Sequence, residues 1–399
     1  MPKHGINRQA LGYSFYGQAK TSRSGSVISA PIGSWGTALS KPRSQSLRIQ
    51  PCASPLSNSD LFIVLLGTMA TIDIDPDGDL IIEIEEQRLR ISSKVISLAS
   101  PVFCAMLRSG FKEGTSQAMT SDPRIIPLPE DDLEAFKLVC RVIHFQLDQI
   151  PQELKIDALE KLALVCDKYQ CTVAMRHCAA LWLQRLSDSY LAAELNKQLL
   201  VAYLLDLPTA FSDISWRLMQ AQAGPFEALP GLTDHPTVPC SLLGWSNCNP
   251  SNGPGMLTCV DVLNSRRVEI NRKMERILMY PVSRLLGCSC RASSDGVTKY
   301  LSNLRTQQIA PYEDGFESLS LLKVVDKVSN LPNSLAGELS CSNSSYSRCE
   351  LATSRDGTMK KKLTKDLSSL MDSEPGLCLD CVKTGRKSKV ERTCRVQHL

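Results

Sequence analysis

The sequence predicts an α+β fold, in which a short three-stranded sheet capped by helices is followed by a mostly α-helical C-terminal region. Three observations lead there. Between Leu80 and Ile91 apolar side chains alternate with polar ones, the period of two that marks strands with one buried face. From Leu133 to Leu186 apolar residues recur every three or four positions in three successive runs, the period of helices. Residues 1–60 are rich in Ser, Gly, Pro, Lys and Arg with no sustained period, and the N-terminus up to residue 68 is expected to be disordered.

The first patterned stretch is "TIDIDPDGDLIIEIEE", starting at Thr71. Asp73, Asp75, Asp77 and Gly78 resemble the opening of a calcium loop, but such a loop needs a bidentate carboxylate at its twelfth position. That position is Ile84, and the residues leading to it alternate as a strand. A polar turn, "DPDG", feeding a strand is the reading the pattern favours. "DLIIEI" is the strand, "EEQ" a tight turn, and "RLRIS" the returning strand with Leu89 and Ile91 on one face.

Ser92 or Ser93 is placed to cap a short helix, "SKVISLAS", by accepting a bond from a free backbone N–H. Pro101 opens a second helix, "PVFCAMLRSG", since its missing N–H has no partner in a first turn, and Gly110 is the expected left-handed stop. "RIIPLP" reads as a third strand. "EDD" then starts a helix from Asp131 to about Phe145, with Glu134 spaced from Asp131 as in a capping box. Two further helices carry Ile156, Leu159, Leu162, Cys166 and Tyr169, and then Met175, Cys178, Leu181, Trp182 and Leu186.

At this point the block from 70 to 188 resembles a BTB/POZ domain, in the variant common in fungal proteins. "GDLIIEI" with "RLRISSKVISLASPVFCAMLRSGFKEG" is similar to that family's first β-hairpin and helical hairpin, "IIPLPEDDLEAFKLVCRVIH" to its third strand and following helix, and "LEKLALVCDKYQCTVAM" to its closing helices. Many relatives carry His where this chain has Ser92 and Ser93. The resemblance implies a non-enzymatic interaction module that associates with itself or another protein. In members that recruit a cullin-type ubiquitin-ligase scaffold, an apolar-x-Glu motif follows the helical hairpin. "FKE" stands there in this chain, making Phe111 and Glu113 candidate partner-binding residues, with packing of Phe111 on its own domain as the alternative. The strand that relatives use for dimerisation, N-terminal to this block, is not recognisable in the sequence.

Downstream, residues 189–223 predict a helical extension with Leu195, Leu199, Tyr203 and Leu207 in one stripe. Residues 224–264 are dominated by Pro, Gly, Asn and Ser and read as an irregular linker or insertion. A helical region is expected over 265–332, a low-complexity linker over 333–377, and a Cys/His tail over 378–399. In that tail Cys378 and Cys381 form a CxxC, with Cys394 and His398 after a twelve-residue gap, a spacing that can close a tetrahedral zinc site. The plainer alternative is that these thiols are unused. Zinc bound there, together with the interaction module, would fit a transcription regulator.

No catalytic or organic-cofactor residues are expected. The sequence lacks a G-x-S-x-G elbow, a P-loop and a G-x-G-x-x-G turn. The acidic run Glu130–Asp132 sits at a helix N-terminus, where negative charge is favoured without any catalytic role. Of five histidines, His144 and His177 fall on helices as packed or half-exposed residues. A net charge of +4 over 399 residues argues for no nucleic-acid partner, and "KKK" at 360–362 reads as a solvated face, with nuclear import as the alternative. The longest early apolar run, Leu61 to Ala70, is too short to span a bilayer, so no membrane partner is expected. "MPKHGINRQA" lacks a signal peptide's apolar stretch, so the sixteen cysteines are expected reduced in an intracellular location, cytoplasmic or nuclear. Met69 is an alternative start, which would leave the preceding residues outside the mature protein, and the stretch 239–264, which has no period, has translated intron as its alternative reading.

Overall fold

The structure, a computed structural model, describes residues 70–108, 122–186, 191–227, 259–287, 290, 292–313, 315–337, 357–384 and 394–396. A mixed sheet is built from β1 (Ala70–Asp73), β2 (Leu80–Ile84), β3 (Gln87–Ile91) and β4 (Arg124–Pro127) in the order β1-β3-β2-β4. β2 and β3 are antiparallel, with Ile82 opposite Leu89, while β1 runs parallel to β3 and β4 parallel to β2. The alternation predicted from sequence is realised: Leu80, Ile82, Ile84, Leu89 and Ile91 are fully buried. β1 is a fourth strand that the sequence did not announce, because its four residues are exposed or half-buried and carry no alternation.

The "DPDG" turn is shaped by close approach. A Cβ on Gly78 would lie 2.5 Å from the carbonyl oxygen of Ile91, so only glycine lets the turn rest against the end of β3. Asp77 N–H donates to the Asp75 carboxylate at 3.1 Å, a local bond of the kind that shapes Asx turns. The turn leads into a strand, and Ile84, at the twelfth position, is buried in the sheet core.

α1 (Ser93–Ala99) is capped by Ser92, whose Oγ accepts from Val95 N–H at 3.4 Å. α2 (Pro101–Met106) follows a single intervening residue, Ser100, whose Oγ accepts from Phe103 N–H and donates to the Tyr169 carbonyl. α2 stops at Met106 with Leu107 as its C-cap, earlier than the sequence suggested, and Gly110 lies outside the described residues.

α3 (Leu133–Ile143) is capped by Asp132, not Asp131: Asp132 Oδ1 accepts from Ala135 N–H at 2.9 Å. The capping box expected between Asp131 and Glu134 is therefore out of register, and Glu134 instead pairs with Lys137 one turn on. Asp131 turns inward. Its carboxylate accepts from Lys168 Nζ at 2.9 and 3.0 Å and from the Tyr169 hydroxyl at 2.5 Å. α4 (Ile156–Lys168) and α5 (Thr172–Arg185) complete this part. The buried stripe of α5 is Met175, Ala179, Trp182 and Leu183, and Leu181, expected inside, is 62% exposed. Phe103, Phe136 and Tyr169 form an aromatic triangle with centroids 4.8–5.9 Å apart, which joins α2, α3 and the end of α4.

The rest is helical, with α6 (Ala192–Leu204), α7 (Pro208–Ala221), α8 (Cys259–Leu286), α9 (Ala292–Thr306), α10 (Leu321–Ser329), α11 (Thr358–Ser373) and α12 (Leu379–Thr384). The predicted stripe is buried at Leu195 and Leu199 of α6 and at Leu207, just before α7, with Tyr203 of α6 half-buried. Two sequence expectations change. α8 begins at Cys259, inside the stretch read as irregular up to 264, because Cys259, Val260 and Leu263 face the core. α11 occupies much of the supposed low-complexity linker 333–377: Met359, Leu363, Leu367 and Leu370, four or three residues apart, give a mostly polar helix one buried side. The "KKK" run lies on its first turn. Lys360 donates to the Leu331 carbonyl, and Lys362 donates to the Tyr280 hydroxyl and lies 4.1 Å from its ring centroid.

α7 is where the extension, the C-terminal helices and the tail meet. Arg267 of α8 is buried, and its guanidinium donates to the carbonyls of Met219 and Gln222 at the end of α7 and of Glu317 and Leu319 before α10. Burial lowers its pKa. Glu374, just after α11, accepts from Arg266 and Lys273 of α8. Gly376 passes so close to α7 that a Cβ would overlap the Ser212 carbonyl, while Leu377 N–H donates to Ser215 Oγ at 2.7 Å.

Candidate functional site

Two regions could engage another molecule: the outer surface of the sheet-and-hairpin block, and a thiol cluster in the tail. In the first, Asp79 anchors the start of α1. Its two carboxylate oxygens accept from Ser93 N–H at 2.8 Å and Ser93 Oγ at 2.6 Å. Burial opposes ionisation of Asp79, but these bonds and the nearby Arg124 outweigh it and hold the carboxyl below its usual range. Ser92 N–H donates to His144 Nε2 at 3.1 Å, while His144 Nδ1 faces the Cys140 carbonyl at 2.8 Å. A proton on Nδ1 satisfies both bonds, so His144 is a structural link between β3 and α3. His177 is exposed.

Asp79, Ser93, Cys104, Arg108, Asp122 and Arg124 help to line a cleft of about 480 Å³ beside the helical hairpin. Its walls are charged in both signs, and no histidine is among the described residues that line it. Phe111 and Glu113 lie outside the described residues, between α2 and β4. Large apolar side chains stand exposed on this block: Leu98 on α1 (82%), Phe145 after α3 (85%) and Val173 on α5 (76%). Phe145 also has φ 60°, a left-handed backbone unusual for a bulky residue. Among the described residues β1 lies at the edge of the sheet, with β3 as its one neighbour.

In the second region the CxxC spacing is turned into geometry by α12. Cys378 precedes its first residue and Cys381 lies one turn on, so both thiols fall on one side. Cys394 returns to meet them, and the three sulfurs lie within 4.8 Å of one another, with Cys381 and Cys394 3.7 Å apart. Burial pushes Cys381 up to about 12, helped by the neighbouring sulfurs, and burial with Cys378 and Asp380 raises Cys394 against the opposing effect of its bond with Cys381. His398 lies outside the described residues.

The residue after Cys394 fixes the approach. Arg395 donates its backbone N–H and its guanidinium to Asp380, and donates a bidentate pair to Asp206 at 2.5 and 2.8 Å. Asp206 also accepts from Lys383 at 2.8 Å and from Arg176 of α5 at 3.1 Å. Arg395 and Lys383 hold the Asp206 carboxyl far below its usual range, against the opposing effect of burial. Sequence reasoning missed Asp206 and Arg395. Their only local signal is charge, and they are 189 positions apart.

Residues 77–186 match the model of the BTB/POZ domain family, a span that runs from the turn before β2 to the end of α5. No curated protein matches the chain. The BTB/POZ domain is a protein-interaction module, typically without enzymatic activity. No helix among the described residues is long and apolar enough to cross a membrane.

Proposed function

We propose that the BTB/POZ domain of this chain acts as a non-enzymatic docking module that pairs first with a second copy of the chain. The observation that carries this reading is β1. It is a short strand on the edge of the sheet, exposed at Ala70, Thr71 and Asp73 and half-buried at Ile72, and one side of its backbone has no strand beside it among the described residues. Such an edge is a template for a strand from another chain. The largely exposed Leu98 of α1 adds an apolar anchor on the same domain. The likeness to the fungal-type variant rests on the sequence of the two hairpins, the third strand with its following helix, and the closing helices. Light scattering on the full chain tests the proposal. A particle of twice the chain mass at micromolar concentration is expected, shifting toward the monomer on Leu98→Asp. A monomer at every concentration, or a dimer indifferent to both Leu98→Asp and a lysine at Thr71, overturns it.

The alternative, a substrate adaptor for a cullin-type ubiquitin ligase, is favoured by one feature. The "FKE" stretch directly follows the helical hairpin whose end, at Arg108, borders the cleft. Phe111→Ala and Glu113→Ala should then abolish cullin co-purification, and unchanged recovery rejects it.

A further inference from the structure

We infer that Cys378, Cys381 and Cys394 bind one zinc ion as a structural clasp, which locks the returning C-terminal strand of chain onto α12 and, through Arg395 and Asp206, onto the BTB/POZ domain. This inference stands independently of what the BTB/POZ domain binds.

Four observations support it. The first is distance. A tetrahedral zinc with Zn–S bonds of about 2.3 Å places its sulfurs about 3.8 Å apart, and Cys381 and Cys394 stand 3.7 Å apart. That separation is far from the ~2.05 Å of a disulfide. The second is number. Three sulfurs converge within 4.8 Å, so a disulfide between any two would leave the third stranded beside it, whereas one metal ion uses all three. The third is donor chemistry. Thiolate-rich sets with CxxC spacing select zinc and other soft cations over calcium or magnesium, which take oxygen ligands. The fourth is the surrounding support. Metal sites need partners that orient the ligands. Here Asp380 lies between the two CxxC thiols in sequence and receives both the N–H and the guanidinium of Arg395, the residue adjoining Cys394. The two ends of the site are thus tied together by groups that are not themselves ligands.

The arrangement assigns a structural role. The same Arg395 reaches Asp206, which is also held by Arg176 of α5. Closing the site therefore fastens the tail to the last helix of the interaction module, across the α6–α7 extension. On binding, each ligating thiol gives up its proton to solvent and the cation takes the three sulfur lone pairs, with no change of oxidation state. His398, four positions beyond Cys394, has the spacing of a fourth ligand, but the three thiols carry the inference.

The experiment uses the full chain, produced in zinc-supplemented medium and purified under reducing conditions without chelator. Elemental analysis should find one zinc per chain. Cobalt(II) added to zinc-stripped protein should give the visible and near-ultraviolet bands of tetrahedral thiolate coordination. The Cys381→Ser, Cys394→Ser double variant, checked for native helicity by circular dichroism, should lose at least tenfold in zinc affinity. Zinc-free protein without cobalt bands overturns the inference. So does a double variant that retains wild-type zinc, or a Cys381–Cys394 disulfide found by mass spectrometry of protein handled under reducing conditions.

Discussion

The hydroxyl of Tyr169 donates to the carboxylate of Asp131 at 2.5 Å, across 38 positions of sequence, inside the α3–α4 corner of the BTB/POZ domain. The bond lets a buried acid and a buried phenol satisfy each other, and burial together with that acceptor raises the Tyr169 pKa well above its usual value. Tyr169 also completes the aromatic triangle with Phe103 and Phe136.

Tyr169→Phe keeps the ring packing and removes only the donor. The Asp131 carboxylate, 4% exposed, would keep Lys168 alone. The expected loss is about 1–3 kcal/mol, the cost of under-satisfying a buried polar group, measured by urea denaturation. Tyr169→Leu should cost more, because the ring contacts are lost too. Equal losses would mean that the hydroxyl contributes nothing.

Asp132 supplies the cap of α3 and also accepts from Lys161 at 2.8 Å. Asp132→Ala should cost about 1 kcal/mol, while Asp132→Asn or Asp132→Ser, which still cap, should cost less. Burial acts against ionisation of this carboxyl, but the bonds from Lys161 and Ala135 prevail, so its folded pKa lies below the unfolded value. The unfolded chain then binds more protons as the pH falls below about 4. The contribution is full above that value and is lost as pH drops through the folded pKa. In an acid titration followed by circular dichroism, Asp132→Asn should show a shallower loss of stability below about pH 4 than the parent.

Arg267→Met tests the joint between α7, α8 and the start of α10. Met fills much of the volume, but four carbonyl oxygens lose their donor. A loss of about 3 kcal/mol is expected from those carbonyls. Hydrogen exchange should rise at the end of α7 and around residues 315–320, with α3 and α4 unchanged. Uniform exchange throughout would show that the joint is not local.

Gly376→Ala places a methyl group against the Ser212 carbonyl. Either the tail lifts from α7, or the backbone shifts at a cost of roughly 1–3 kcal/mol. Trypsin should then cut sooner at Lys383, Arg386 and Lys387, read by mass spectrometry. An unchanged cleavage rate would mean that the tail is held by Arg395 and the thiols alone.

Much of the BTB/POZ domain was legible because its signals are local. Leu80, Ile82 and Ile84 alternate, Ser92 precedes a helix, and Pro101 opens one. What was missed also has physical reasons. β1 is too short and exposed to show a pattern. α11 hides four buried residues among lysines, serines and aspartates, so its composition read as linker. Between the adjacent acids Asp131 and Asp132, sequence offers no way to choose the cap, because the choice depends on where Lys168 and Tyr169 arrive.

By itself the sequence determined which segments have a buried face and where several helices start, since periodicity and caps act within a few residues. The candidate sulfur and nitrogen ligands of the tail, Cys378, Cys381, Cys394 and His398, were likewise visible as spacing. Only the tertiary structure decided that the three sulfurs converge, that Arg395 finds Asp206, and that Arg267 closes the end of a helix about fifty residues away. Those contacts are fixed by the packing of helices distant in the chain, and neither composition nor local spacing records which helix faces will meet.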